Sequence, residues 1–428
     1  MNFQGKKLLI IGGAYQHCKL VEAAHKMGAT VYVVDYLPVE KAPAKQIADK
    51  HYEYNITDID EIVSMCKEEH IDGALASHLD ACQIPYQQVC ERMGFPCFGT
   101  KEQFHVLTDK NAFIKMCVES GADVIPQYKE EDFTYDNNAI EYPIFVKPCD
   151  SRGSRGQTVC DSYQSVKHAI EYAKSESKSG NVVIEKYMGG KQDLQIVYFV
   201  VDGNPYLIRL SDRYEGERNQ GLDKLCIGTF APSKFSNDYV KYVDNKVKHL
   251  IRKIGIKTAP VFIQGFIDGK AVRLYDPGLR CAGGEYETLL ERLTGVSVAS
   301  MLVEFALTGN VADYDKLKES PYLLNGKCAV QVDPTLSPGM ITKIAGLDCI
   351  EKIEGVDSIS SMSLDEGSIV EETVNVKRRL CVINMVAASE NEVLNQIREI
   401  KNNLVVNNQD GNSMVCAMLD INNLKKEA

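Results

Sequence analysis

The sequence predicts an α/β and α+β multidomain protein. It has a Rossmann-like N-terminal domain, a central domain with antiparallel sheet and a small C-terminal α/β domain. Three observations carry this. Apolar runs alternate with helix-periodic stretches as far as about residue 103. Between 143 and 310 the apolar runs pair across Asp-Gly turns. From about 326 onward, glycine turns, short strands and one helical stretch follow.

The elements follow in order. "KLLIIGG" is a short buried strand closed by glycines, and "HCKLVEAAHKMG" has helical periodicity with Gly28 as its stop. "TVYVVD" is a second buried strand. The unit then repeats loosely as "IDEIVSMCKEEH" (helix), "IDGALAS" (strand) and "ACQIPYQQVCERMG" (helix). Strands alternating with helices imply a parallel sheet covered on both faces. Residues 1–103 form this domain. "TDKNAFIKMCVES" starts the next helix, with Thr108 or Asp109 as N-cap. The domain 104–310 holds the strands "YPIFVKP", "NVVIEKYM", "LQIVYFVVDGNPYLIRL" and "VFIQGFIDGKAVRLYDPG". Helices at 162–178, 237–254 and 285–308 interrupt them. Residues 311–428 form the closing domain, with "ENEVLNQIREIKNNL" as its helix.

A net charge of −11 argues against a nucleic-acid-binding surface. No stretch reaches the ~20 apolar residues of a membrane span. The N-terminal run "LLII" is shorter than a signal-peptide core and reads as a strand. The 14 cysteines are scattered without a CxxC pair, which fits free thiols and a cytoplasmic location.

Four separated features carry chemistry. "FVKPCDSRGSRG" places Lys147 at the end of a strand, ahead of a cationic glycine-bearing loop suited to phosphate. "VVIEKYMGGKQD" ends a buried strand in Glu185, with Lys186, Tyr187 and Met188 following, a setting able to flank an adenine. "VRLYDPGLRCAGG" delivers Asp276, a carboxylate for Mg2+, and Arg280, a guanidinium for phosphoryl or carboxylate charge. Lys110 stands at a helix start in "TDKNAF". Taken singly, each reads as well as a solvated turn, a strand end or a surface ion pair.

In this order the motifs resemble the ATP-grasp superfamily. The similarity is greatest to the branch of biotin carboxylase, carbamoyl-phosphate synthetase large chains and ATP-grasp amino-acid ligases. "SPGMITKIAGLDCIEKIEGV" and "DEGSIV" resemble the closing region of such ligases. The resemblance makes 104–310 an ATP-grasp domain and implies ATP and Mg2+ as cofactors. It puts Lys110, Lys147 and the loop of Ser151, Arg152, Gly153, Ser154 and Gly156 on the phosphates. Glu185, Lys186 and Met188 fall on the adenine, beside Tyr187, and Asp193 on the ribose. Asp276 and Gln264 take the metal positions, and Arg280 the acyl-phosphate position. The implied reaction joins a small carboxylate to an amine or related nucleophile, through an acyl phosphate, with release of ADP. A homodimer is implied by the same analogy.

Two departures keep a second reading open. Gly278 stands where the family has asparagine, and Gln264 where it has glutamate. One ion, recruitment of Glu285 or Glu287, or ATP binding with little turnover are the outcomes. Carbamoyl-phosphate chemistry is a variant. "IIGGAYQH" with Asp35 lacks the glycine spacing of a dinucleotide site. His17 and His78 read as loop histidines, and Cys149 and Cys281 as packing residues. "RLSDRYEGERNQGL" reads as a mobile cover carrying Arg213 and Arg218, or as a solvated loop.

Overall fold

The computed structural model describes residues 1–134, 139–150, 156–217, 222, 225–361, 364–372 and 376–425, with Lys425 described for its backbone only. Strands β1 (Lys7–Ile11), β2 (Thr30–Val34), β3 (Lys50–Tyr52) and β4 (Gly73–Leu75) form a parallel sheet in the order β3-β2-β1-β4. Leu8 to Ile11 are fully buried, as a strand covered on both faces requires. The three periodic stretches are helices Cys18–Lys26, Ile59–Glu68 and Asp80–Met93.

A small antiparallel sheet follows. Strands β5 (Gln127–Tyr128), β6 (Ile144–Pro148), β7 (Thr158–Cys160) and β8 (Val182–Lys186) lie in the order β5-β8-β6-β7. Helix Tyr163–Glu176, capped by Ser162, covers it and closes a separate core of Ile144, Val146, Val166, Ile170 and Ile184.

The large sheet has eight strands. Strands β9 (Asp193–Val201), β10 (Asn204–Glu215), β11 (Cys226–Ala231), β12 (Ala259–Asp268), β13 (Ala271–Gly278) and β14 (Cys328–Val332) run in the order β13-β12-β9-β10-β11-β14. Strands Cys381–Ala387 and Val356–Ser361 complete it beyond β14, and all pairs are antiparallel. The two Asp-Gly turns join β9 to β10 and β12 to β13 as expected.

Two predicted helices are each broken. Segment 237–254 divides into Ser236–Tyr242 and Asp244–Ile254, because Val243 leaves the helical region at φ −120°. Segment 285–308 divides into Tyr286–Thr294 and Val298–Thr308, because Gly295 ends the first with φ +74°.

The N-terminal domain and the large sheet share one continuous core, from Leu8 through Val197 and Ile263 to Phe305. Segment 328–419 has its own core. The first core runs past the sequence boundary at 310/311 through Val311, Leu317 and Leu324 to Ala329 and Val386, and β14 pairs directly with β11. No helix among the described residues is long and apolar enough to cross a membrane.

Candidate active site

A cavity of about 210 Å3 lies between the small and large sheets. The last residues of β6 and β8 form one wall. Lys147 Nζ donates to Glu185 Oε1 at 2.6 Å, and both side chains are only 2% exposed. Gln127 Nε2 takes the other carboxylate oxygen at 3.2 Å. The Lys147 ammonium also faces the rings of Phe145 and Tyr275, 5.7 and 5.2 Å from their centroids. Antiparallel pairing explains the meeting: Phe145 is opposite Glu185, so Lys147 lies two residues along the same face.

The opposite wall carries the acids. Lys110 begins helix Lys110–Ser120, whose cap is Asp109, accepting from the Ala112 N–H at 2.9 Å. Its Nζ lies 3.1 Å from Asp276 Oδ1. Burial opposes the Lys110 charge, but Asp276, Asp80 and Glu185 outweigh it and hold the lysine above its usual pKa. Gln264 on β12 is the cross-strand partner of Asp276 on β13. These two offer a carboxylate and an amide oxygen side by side. That set fits one Mg2+, an ion that keeps several waters and takes few protein oxygens. The Arg280 stem lies 3.1 Å from where a side chain at Gly278 would begin, so position 278 adds no ligand.

Asp193, Arg213 and Glu215 form the floor. Asp193 Oδ2 accepts from Arg213 NH1 at 2.7 Å and from the Tyr275 hydroxyl at 2.9 Å. Its Oδ1 has no partner among the described residues. Burial drives the Asp193 carboxyl up, to about 7, against the pull of Arg213. Arg213 also donates to Glu215 at 2.5 Å. Lys186, Tyr187 and Met188 line the rim. The Lys186 and Tyr187 N–H groups already donate to Pro126 and Pro143 carbonyls, at 3.0 and 3.2 Å. The Lys186 ammonium pairs with Glu141 at 2.8 Å.

The structure thus brings Lys110, Lys147, Glu185, Lys186, Tyr187, Met188, Asp276 and Gln264 to one cavity, and Asp193 directly beneath it. Gly156, at the end of the loop expected to hold phosphate, has φ +72°. Ser151, Arg152, Gly153 and Ser154 lie outside the described residues, as does Arg218. Arg280 does not line the cavity. Its Nε is locked on Asp80 at 2.5 Å, its NH1 on the Cys281 carbonyl at 2.8 Å, and its plane covers the Phe262 ring. Asp80 is what reaches the cavity.

One expectation is corrected. Arg213 is not on a mobile cover: residues 209–215 continue β10, and the ladder fixes the arginine opposite Asp193. His78 lies in the loop after β4, as expected, and is buried there. It is 7% exposed, and its Nε2 lies 3.3 Å from Glu287 Oε2. At the N-terminal glycines, the His17 ring lies 2.5 Å from where a side chain at Gly12 would begin, and Asp35 is used by the Gly13 and Leu37 N–H groups.

Sequence reasoning missed Glu215, Tyr275, Phe266 and Asp80. Glu215 had a usable signal, since it follows Arg213 at strand spacing. The stacked pair Phe266–Tyr275, centroids 4.9 Å apart, depends on cross-strand register that a single strand does not display.

Residues 103–275 match the family "Carbamoyl-phosphate synthase L chain, ATP binding domain". Residues 8–82 match "PylC-like, N-terminal domain". A formate-dependent phosphoribosylglycinamide formyltransferase of Sulfurisphaera tokodaii is 24% identical over 263 residues, 59% of this chain and 65% of the relative. The match with the corresponding Bacillus velezensis protein covers 52% of it, so the chain spans about half to two-thirds of these curated relatives. Among solved structures, the L-amino acid ligase of Bacillus licheniformis superposes with TM-score 0.77 at 15% identity, over 95% of this chain and 100% of that one. The biotin carboxylase domain of Hydrogenobacter thermophilus 2-oxoglutarate carboxylase, solved with MgADP, ADP and bicarbonate, gives 0.75 at 15%, over 94% and 90%.

Proposed function

The chain belongs to the ATP-grasp superfamily, and from that premise we propose that it is an ATP-dependent ligase joining a small carboxylate to an amine. The observation that carries this is the convergence of Lys110 and Lys147 with Asp276 and Gln264 on one cavity inside the matched ATP-binding segment. Lys147, held straight by Glu185 and two rings, and Lys110, held by Asp276, face the phosphates and neutralise charge during transfer. The Glu185 carboxylate is used by Lys147 and Gln127, so an adenine contact at this position falls to the main chain. Met188 and Phe145 cover the base, and Asp193 with Glu215 takes the ribose. Asp276 and Gln264 would hold Mg2+, which when bound would supply Lewis-acid neutralisation of phosphate oxygens. The substrate carboxylate attacks the γ-phosphorus and ADP leaves. The amine then attacks the acyl carbon, the C–N bond forms and phosphate leaves with the C–O bond broken. By analogy with the biotin carboxylase domain dimer, the protein is a homodimer.

Calorimetric titration with MgATP tests the nucleotide assignment. The expected result is micromolar to sub-millimolar binding that weakens by roughly 1–3 kcal/mol in Lys147→Ala, the scale of a charge-assisted contact. Equal binding by the variant would remove Lys147 from the phosphate site. ADP release across a carboxylate–amine panel then tests the ligase reaction. Gly278 and the locked Arg280 favour a second reading, ATP binding with slow turnover. Tight ATP binding without ADP release across the panel selects it.

A further inference from the structure

We propose that His78, Cys281 and Glu287 form a Zn2+ site that ties the loop after β4 to the loop after β13. The inference goes beyond the ligase reading and does not depend on it. His78 follows β4, Cys281 follows β13 and Glu287 lies in the first turn of helix Tyr286–Thr294. Each brings one ligand atom within 4.8 Å of the other two. No other such group of His, Cys, Asp or Glu occurs among the described residues.

The chain fastens these segments together. The Cys281 N–H donates to Ser77 Oγ at 3.3 Å, and Arg280 Nε donates to Asp80 at 2.5 Å. The two loops are therefore joined at residues either side of His78.

The spacing fits an ion better than a direct contact. His78 Nε2 lies 3.3 Å from Glu287 Oε2. A charge-assisted N–H···O bond closes to about 2.7–2.9 Å. Two ligand atoms each about 2.0–2.2 Å from one tetrahedral ion stand roughly 3.3–3.5 Å apart. The polar atoms are also not used up. His78 Nδ1 and Glu287 Oε1, on side chains 6% and 9% exposed, have no hydrogen-bond partner among the described residues. Burying such atoms without a ligand is costly.

The donor set selects the ion. One imidazole nitrogen, one thiolate and one carboxylate suit Zn2+. Mg2+ takes oxygen ligands and belongs with Asp276 and Gln264 instead. One thiolate and one carboxylate balance the two positive charges, which a buried position needs. The sulfur–zinc bond forms as the Cys281 thiol proton leaves to solvent.

The ion has a way in. His78 and Glu287 line a second cavity, of about 150 Å3, between helices Cys18–Lys26, Tyr286–Thr294 and Val298–Thr308. Lys19 and Glu22 also line it, with side chains 42% and 46% exposed, so the cavity reaches solvent. Cys281 is fully buried and does not line the cavity. Three protein ligands leave a fourth position for water. Asp80, two residues beyond His78, lines the nucleotide cavity, so the ion braces one wall of that cavity.

The test uses the full chain, stripped with a chelator and titrated with Co2+ and then Zn2+. The expected result is one equivalent of Co2+ with a thiolate-to-cobalt absorption, displaced by one equivalent of Zn2+. No cysteine lines the nucleotide cavity among the described residues, so Co2+ at Asp276 gives no such band. Cys281→Ser is expected to abolish the band, and Glu287→Gln to weaken Zn2+ binding at least tenfold. Zn2+ should raise the thermal midpoint of the parent but not of Cys281→Ser. Melts of the stripped variants separate a lost ligand from a lost fold, and if Cys281→Ser does not fold, the Glu287→Gln titration decides. ATP calorimetry on the same samples reads the other cavity. If the cobalt band forms and ATP does not bind, the ligase reading fails and the zinc site stands. A stripped parent without the thiolate band, a folded Cys281→Ser that keeps it, or unchanged Zn2+ affinity in Glu287→Gln overturns the proposal.

Discussion

Lys147 has two roles that one substitution confuses. Removing it takes a cation from the proposed phosphate site and also strands the Glu185 carboxylate, 2% exposed, without its cationic partner. Breaking a buried pair from one side costs about 3–5 kcal/mol, whereas replacing both members with apolar residues is often neutral. Lys147→Ala is therefore expected to lower the urea midpoint. Lys147→Met with Glu185→Leu should recover stability while ATP binding stays weakened. Recovery of both would mean the pair is structural only. His17 carries a pH signature. Burial and the neighbouring His78 lower its pKa from 6.5 to about 3. Between those values the unfolded chain holds a proton that the folded chain does not, so stability falls as pH drops from 6.5 towards 3. The slope approaches 1.4 kcal/mol per pH unit at most. Urea midpoints from pH 7 to 4 should fall less steeply in His17→Asn than in the parent. Identical slopes would show that His17 is protonated in place.

At the scale of elements, the register of the strands builds the site. β9 and β10 set Asp193 opposite Arg213, and β12 and β13 set Gln264 opposite Asp276. Periodicity showed these strands and their Asp-Gly turns, and so showed Asp276 and Lys147 at strand ends. Register across strands depends on distant pairings, which is why Tyr275 and Phe266 were not legible. Close packing of elements gives a further prediction. A side chain at Gly73 on β4 would begin 2.1 Å from the Ala306 carbonyl oxygen on helix Val298–Thr308. A backbone atom cannot rotate away, so Gly73→Ala is expected to destabilise by about 1–3 kcal/mol. A thermal melt unchanged within error would show that the helix moves freely off the sheet.

Across the whole molecule the cores are unequal. The N-terminal domain and the large sheet share one, while the small sheet has its own and meets the rest around the nucleotide cavity. A lobe with few residues in a separate core opens at lower free energy than a continuous one. Amide exchange in 144–148 and 182–186 should therefore be faster than in 194–200, and MgATP should slow it selectively. Uniform exchange across both sheets, with or without nucleotide, would make the molecule one cooperative unit.

The sequence by itself determined the alternation of elements, the parallel character of the first sheet and the order of the motifs carrying Lys110, Lys147, Glu185 and Asp276. Local periodicity, turn chemistry and covalent order suffice for these. Only the tertiary structure decided that Arg280 is locked on Asp80, that Arg213 sits in a ladder, that the closing segment shares the large sheet, and that His78 meets Glu287 across 209 residues. Each of these is a contact between distant segments. Burial and charge, rather than sequence spacing, select such partners.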